Sequence, residues 1–269
     1  MKKWLILIFL VFSVFLPPSL AQDDLLEAQR PVSSDGYAFW VYTPQDYAQY
    51  QRTTPVILFL HGASLKGNDL DRVLRYGPLD AVRKGLIVPA IIVAPQNPKG
   101  PWNPQKLNDI LEWMQNHYVY NPQRVYVMGM SLGGYGTLDM AGTYPEKIAA
   151  AIAFCGGSTL RSYDGLGRLP LWIIHGTADK AVKVEESRKI VDQMKEQHID
   201  QRLRYDWIRG ASHGDLARYF YLTDTYDWLF MHTLIEPQRP VDRNVEITAD
   251  ERAEAYQKIK KRKKELTIR

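Results

Sequence analysis

A serine flanked by glycines lies where a predicted strand gives way to a predicted helix. The segment Gly129-Met130-Ser131-Leu132-Gly133 follows the β-rich run Arg124–Met128 and opens a small-residue helix predicted over Leu132–Tyr144. Such a turn projects the serine hydroxyl above the sheet, and it is tight enough to require small neighbours. It also leaves the Leu132 N–H free at the helix N-terminus, where negative charge is stabilised. Ser131 is therefore a candidate nucleophile, and Leu132 is a candidate oxyanion donor.

A serine hydroxyl needs an adjacent base, and that base needs a carboxylate to orient it. Asp179 lies just past the strand predicted at 170–174, and His213 lies just past the strand predicted at 203–208. Because the carboxyl ends of parallel strands share one edge of a sheet, we expect the three side chains to meet there. Their chain order is that of nucleophile, acid and base in an α/β-hydrolase. Without such partners, Ser131 would be an incidental serine at a glycine-rich helix start.

Other acids and histidines are weaker candidates for these roles. Asp164, in the loop before the strand at 170, is the alternative acid. Asp139 lies eight residues beyond Ser131, within the following helix, and is expected to point away from the shared edge. His175 lies only four residues before Asp179, and we expect it to shape that loop.

A second backbone donor is expected in the loop His61-Gly62-Ala63-Ser64-Leu65, after the apolar strand predicted at 55–60. In hydrolases of this architecture, an amide of that loop completes the oxyanion hole. The Ala63 N–H is our first candidate, and the Ser64 N–H is the alternative. His61 is expected to be a structural hydrogen-bonding residue of the loop, rather than an acid or base.

Short apolar strands alternate along the chain with amphipathic helices. Strands are predicted at 37–42, 55–60, 90–93, 124–128, 148–154, 170–174 and 203–208, and helices at 107–118, 132–144 and about 184–198. This alternation predicts an α/β fold, with a mostly parallel sheet covered by helices on both faces. The connection between the strands near 150 and 171 is too short for a large lid.

The composition is that of an ordinary globular chain of 269 residues, with 45% hydrophobic and 24% charged residues. It excludes collagen-like, coiled-coil and wholly disordered proteins. The formal net charge of +4 comes from Lys2, Lys3 and the segment 236–269, so the body is near neutral and a nucleic-acid partner is not expected. The single cysteine, Cys155, excludes an intramolecular disulfide and a multi-cysteine metal site. It ends an apolar run, which indicates a buried thiol.

Two terminal segments flank the predicted hydrolase domain, residues 22–235. Residues 1–21 combine two lysines, an apolar run from Trp4 to Leu16 and small residues up to Ala21, which is typical of a cleaved signal peptide. They predict export to the periplasm or the extracellular space. The alternative is an uncleaved anchor, although the apolar run is shorter than the roughly 20 residues that span a bilayer.

The tail, residues 236–269, contains a capping box at Thr248 and Glu251 that predicts a helix. Its end, Lys258–Lys264, is strongly basic. The simplest interpretation is a solvated helix that lies on the body or trails from it. The alternative is a weak anchor for anionic surfaces.

These motifs resemble those of secreted bacterial carboxylesterases, namely the dienelactone-hydrolase-like, phospholipase/carboxylesterase-like and feruloyl-esterase-like α/β-hydrolases. The resemblance covers about residues 36–233 and rests on His61-Gly62-Ala63, Gly67-Asn68-Asp69, Gly129–Gly134, Asp179 and Ser212-His213-Gly214. It departs from the commonest oxyanion loop, which carries a glycine and an acidic residue where this chain has Ser64 and Leu65.

The resemblance implies a serine esterase with the fold and the Ser131-Asp179-His213 triad described above, and it requires no metal or cofactor. Its substrate would be a small-molecule or polymer-borne ester, including acylated plant carbohydrate. Trp102 follows the strand at 90–93 at the same sheet edge, and it is a candidate for stacking on a sugar or aromatic acid. The alternative is a loop tryptophan packed on the body.

Two other functions fit the same residues. A serine peptidase of the prolyl-oligopeptidase kind shares the fold and the triad order, although such enzymes usually carry a large N-terminal propeller. A non-catalytic binding protein on the same fold would be favoured by the loss of a triad member, and all three are present.

Overall fold

The computed structural model describes residues 25–236, 238–241, 243–255 and 257. The predicted signal peptide and the basic end of the tail lie outside these residues. Eight strands form one sheet: β1 Leu26–Gln29, β2 Phe39–Tyr42, β3 Val56–Leu60, β4 Ile91–Pro95, β5 Val125–Met130, β6 Ala150–Phe154, β7 Leu171–Gly176 and β8 Leu203–Ile208. Their order is β1-β2-β4-β3-β5-β6-β7-β8.

The sheet is parallel from β4 to β8, and β2 pairs antiparallel with both β1 and β4. The predicted mostly parallel sheet is confirmed. β1 was not predicted, because Leu26–Gln29 contains no apolar run. In the structure its two end residues are partly exposed and its two middle residues are exposed.

Helices cover both faces of the sheet, as the alternation predicted. They are α1 Tyr47–Tyr50, α2 Pro78–Arg83, α3 Pro104–His117, α4 Leu132–Thr143, α5 Glu185–Glu196 and α6 Thr223–Phe230. One buried cluster joins α3, α4 and α5 to the sheet, and a second joins α2 and α6 to it. The side chains of β3 alternate between the two clusters, with Leu58 in one and Phe59 in the other. A strand buried on both faces must be apolar throughout, which explains the continuous run in the sequence.

The connection from β6 to β7, residues 155–170, contains only a short 3₁₀ helix at Leu166–Arg168. As expected from the sequence, it is too short to form a large lid. No large lid therefore covers the carboxyl edge of the sheet from this connection.

The described part of the tail lies on the body. Arg239 donates hydrogen bonds to the carbonyl oxygens of Pro145, Ile148, Ala149 and Arg168. Farther along, Ile247 and Ala255 are buried in the cluster that contains α6. The predicted capping box is present: the Thr248 N–H donates to the Glu251 carboxylate, 2.8 Å away, and the Glu251 N–H donates back to the Thr248 hydroxyl at 3.2 Å. Within the described residues, no helix has the length and apolar character that a membrane crossing requires.

Candidate active site

Ser131 occupies the turn between β5 and α4 in a backbone conformation that few L-residues adopt. Its φ is 60° and its ψ is −122°. The Ser131 N–H donates to the carbonyl oxygen of Phe154 at 2.9 Å, which ties the turn to the end of β6. A non-glycine residue at positive φ is strained, and such strain persists where the surrounding structure enforces it. Here the flanking strand and helix enforce it, and the serine is placed at the carboxyl edge of the sheet.

Gly133 allows α4 to pass directly over β3. A methyl group on Gly133 would lie 1.8 Å from the carbonyl oxygen of Leu60, which is far inside van der Waals contact. The clashing atom belongs to the backbone of a buried strand and cannot swing aside. The second glycine of the motif is therefore required by the distance between helix and sheet.

We expect Gly133→Ala to lower the free energy of unfolding by about 3 kcal/mol or more, because overpacking against fixed backbone forces the helix away from the sheet. Urea denaturation would measure the change. Gly214→Ala is the matched control, since a methyl group there would meet no atom within 4 Å. It should alter stability by no more than about 0.5 kcal/mol. Equal stability of the two variants would show that the close approach of α4 to β3 does not require a glycine.

His213 and Asp179 are directly paired. The distance from His213 Nδ1 to Asp179 Oδ2 is 2.6 Å. The other carboxylate oxygen accepts the N–H groups of Ala181 and Val182, at 2.8 and 2.9 Å. The Asp179 side chain is fully buried, and the His213 side chain is 25% exposed. This arrangement fixes the imidazole and leaves its Nε2 edge available for chemistry.

The carboxylate of Asp179 is held in its ionised form. Burial by itself raises its pKa, but the hydrogen bonds from His213 and from the Val182 and Ala181 N–H groups outweigh burial, and the net pKa is lowered. A carboxylate that accepts several hydrogen bonds is stabilised in its charged form. Asp179 is thus suited to orient a histidine and to stabilise its imidazolium.

The alternative acid and the neighbouring histidine have other partners. Asp164 is exposed and accepts the hydroxyl of Ser162 at 2.8 Å. The buried ring of His175 contacts the Ser187 hydroxyl at 2.8 Å and the Val182 carbonyl oxygen at 2.9 Å. It also lies 3.4 Å from Asp179. His175 therefore braces the Asp179 loop, in the position that the sequence predicted for it.

Cys155 lies beneath the histidine–aspartate pair. Its sulfur, one Asp179 oxygen and one His213 ring nitrogen all lie within 4.8 Å of one another. Thiol, carboxylate and imidazole groups can all bind a metal ion, but here His213 Nδ1 is hydrogen-bonded to Asp179. Burial raises the pKa of the Cys155 thiol, more than the nearby Ser131 N–H lowers it. The Cys155 thiol therefore keeps its proton beside the ionised Asp179 carboxylate, and it is buried as the sequence indicated.

The three backbone amides that the sequence offered as oxyanion donors have no hydrogen-bond partner among the described residues. Within the described part of the chain, neither the Leu132 N–H nor the Ala63 N–H has a hydrogen-bond acceptor, and the same holds for the alternative donor, Ser64. Unpaired amides at helix starts are suited to bind a developing negative charge. All three candidate donors therefore keep the hydrogen-bonding capacity that an oxyanion hole needs.

His61 has the structural role that was expected. Its Nε2 accepts the Asn97 N–H at 3.0 Å, so the ring proton is on Nδ1, which donates to the Gly62 carbonyl oxygen at 2.8 Å. Burial lowers the pKa of His61 to about 4, and the ring is neutral near pH 7. Both nitrogens are committed to the backbone, which fixes the conformation of the oxyanion loop.

Trp102 does not offer the exposed stacking face that the sequence suggested, and that prediction is wrong. Only 3% of its surface is exposed. The indole N–H donates to the His61 carbonyl oxygen at 3.2 Å, and the ring makes edge contacts with Tyr37 and His61. The ring also fills the space beside Gly136 of α4. Trp102 therefore packs between the loop at His61 and helix α4.

Esterases are among the known proteins to which this chain is similar. Residues 100–226 match the dienelactone hydrolase family. The chain is 28% identical over 146 residues to acetylxylan esterase A of Emericella nidulans. This alignment covers 54% of this chain and 41% of that protein. It is also 26% identical over 165 residues to the bifunctional acetylxylan esterase/xylanase XynS20E of Neocallimastix patriciarum. This alignment covers 58% of this chain and 23% of that protein.

The solved structure of a thermostable esterase aligns with a TM-score of 0.65 at 26% identity, over 78% of this chain and 64% of that chain. The chain has the α/β-hydrolase fold. The resemblance to carboxylesterases that the motifs indicated is confirmed. The chain spans less than half the length of either curated relative.

One residue beside the candidate site, Tyr76, was missed by the sequence analysis. The hydroxyl oxygen of Tyr76 accepts the Gly62 N–H at 2.6 Å, and so it is built into the oxyanion loop. Tyr76 lies 14 residues beyond Gly62, after a 3₁₀ helix at Leu70–Arg75. No periodicity or motif connects the two residues, and only the folded loop brings them together.

Proposed function

We propose that this chain is a serine esterase that hydrolyses carboxylic esters through an acyl-enzyme. The observation that carries the proposal is the 2.6 Å pair of His213 and Asp179 at the sheet edge where Ser131 occupies its strained turn. His213 takes the proton of the Ser131 hydroxyl as the oxygen attacks the ester carbonyl carbon. Asp179 holds the tautomer that makes this transfer possible and stabilises the imidazolium.

The remaining steps use the same groups. The Leu132 and Ala63 N–H groups bind the oxyanion of the tetrahedral intermediate. The intermediate collapses as His213 returns the proton to the leaving alcohol, which leaves Ser131 acylated. Water, deprotonated by His213, then attacks the acyl-enzyme and releases the acid.

For the substrate, we propose a short acyl ester borne on a carbohydrate polymer. The two curated relatives are named as acetylxylan esterases, which supports an acetyl group on xylan. The short connection between β6 and β7 supports an open cleft that a polymer can approach. The apolar run and small residues of 1–21 support export, which would bring the enzyme to such a polymer.

A panel of esters tests the proposal with the purified protein. We expect turnover of p-nitrophenyl acetate and release of acetate from acetylated xylan, with the octanoate ester at least about tenfold slower because a small pocket discriminates against length. Turnover of methyl ferulate would show whether the pocket also accepts an aromatic acyl group. Turnover of prolyl peptide p-nitroanilides in place of esters would instead indicate a peptidase. If none of these substrates is hydrolysed, the chain would instead be a binding protein.

A further inference from the structure

The hydroxyl of Tyr76 lies beside the nucleophile as well as beside the oxyanion loop. A methyl group on Gly62 would lie 2.9 Å from the Tyr76 oxygen and 3.3 Å from Ser131 Cβ. The hydroxyl and the serine therefore flank the same point on Gly62. Because Gly62 carries no side chain, the Tyr76 hydroxyl and Ser131 can approach each other closely across it.

The Tyr76 hydroxyl can still donate a hydrogen bond. Its oxygen accepts the Gly62 N–H, and within the described residues its own O–H makes no hydrogen bond to a buried acceptor. The hydroxyl of the exposed residue Ser64 is a second hydrogen-bond partner of the Tyr76 oxygen, and it acts as a donor because it lowers the pKa of the phenol. The phenol is partly buried, and its proton is available to an acceptor supplied by the substrate.

The proton remains on the oxygen at neutral pH. Burial raises the pKa of Tyr76 to about 12, although the Gly62 N–H opposes that shift. The ring is held between aromatic neighbours, with centroids 6.2 Å from Phe59 and 6.4 Å from Phe220. The phenol is thus a rigid, neutral hydrogen-bond donor.

We propose, on the basis of the esterase function proposed above, that the Tyr76 hydroxyl donates a hydrogen bond to the oxyanion of the tetrahedral intermediate. It is then a third donor beside the Leu132 and Ala63 N–H groups. The Gly62 N–H polarises the phenol, and hydrogen bonds in such a chain strengthen one another. As Ser131 attacks and the carbonyl oxygen gains charge, this donor stabilises the transition state more than the substrate.

Tyr76→Phe is the decisive variant, because it keeps the ring and removes only the hydroxyl. Two rates are measured for it: kcat for p-nitrophenyl acetate, and the rate of Ser131 phosphonylation by an alkyl fluorophosphonate. In the second reaction the Ser131 Oγ–P bond forms, fluoride leaves, His213 takes the serine proton, and the phosphoryl oxygen occupies the oxyanion position. We expect both rates to fall about 10- to 100-fold, with KM within about twofold of the wild-type value.

Tyr226→Phe is the matched control. Tyr226 is buried, and its hydroxyl donates to the carbonyl oxygen of Phe220 at 2.6 Å, in a bond that serves packing alone. This variant should lose some stability and keep both rates. A tether role for Tyr76 would instead raise KM and lower the melting temperature, with little change in kcat.

The possible results separate this proposal from the esterase function. If the wild type is phosphonylated and Ser131→Ala is not, while Tyr76→Phe keeps both rates within twofold, the serine enzyme stands and the role of Tyr76 is overturned. A raised KM with unchanged kcat overturns it as well. If the wild type neither turns over esters nor reacts with the fluorophosphonate, both proposals fail.

Discussion

Replacing Ser131 with alanine is expected to lower kcat/KM for ester substrates by about 10⁴-fold or more and to leave the fold intact. The nucleophile and its base act as a unit, so removing the oxygen that is acylated leaves only the contribution of the oxyanion donors and of substrate binding. The hydroxyl makes no hydrogen bond to another described residue, and alanine keeps the Cβ at the turn. The measurement is steady-state hydrolysis of p-nitrophenyl acetate, with the circular dichroism spectrum and the melting temperature as checks on folding.

Ser162→Ala is the matched control for this variant. Ser162 is exposed in the connection after β6, and its hydroxyl donates only to Asp164. It should retain full activity. A Ser131→Ala protein that keeps even a tenth of wild-type activity would show that another group is the nucleophile.

The triad candidates could be predicted because each follows a recognisable strand. Ser131, Asp179 and His213 come after runs that are apolar or β-rich, and parallel strands bring their carboxyl ends to one edge. The structure places all three at that edge, and it pairs His213 with Asp179 rather than Asp164. Strand periodicity thus carries most of the information about this site.

Contacts between distant loops could not be predicted in the same way. For Trp102 the sequence left open whether the ring stacks on a substrate or packs on the body, and contacts with Tyr37 and His61, from other parts of the chain, decide for packing. Tyr76 follows no apolar run and reaches Gly62 only because the 3₁₀ helix at Leu70–Arg75 folds back on the oxyanion loop. A local pattern predicts which strand a residue follows, and it does not predict which loop will cover that residue.

Asp179→Asn is expected to lower kcat by about 10⁴-fold with little change in KM. An asparagine amide can donate to His213 Nδ1, which favours the tautomer with its proton on Nε2, and that tautomer cannot accept the Ser131 proton. Asp164→Asn is the matched control, because Asp164 is an exposed carboxylate of the rival loop. It should keep full activity. Loss of activity in Asp164→Asn and not in Asp179→Asn would exchange the two assignments.

Comparison of wild type with Asp179→Asn also tests the electrostatics of the site, through the pH dependence of the free energy of unfolding. The pKa of Asp179 is lower in the folded protein than its ordinary value of 3.8. The ionised carboxylate therefore stabilises the fold above that ordinary pKa, and the contribution is lost as the pH falls through the folded pKa. The difference in free energy of unfolding between wild type and Asp179→Asn should accordingly be constant between pH 5 and 7 and shrink below about pH 4. A difference that stays the same down to pH 2, measured by urea denaturation, would mean that packing stabilises the Asp179 loop and that the charge of its carboxylate does not.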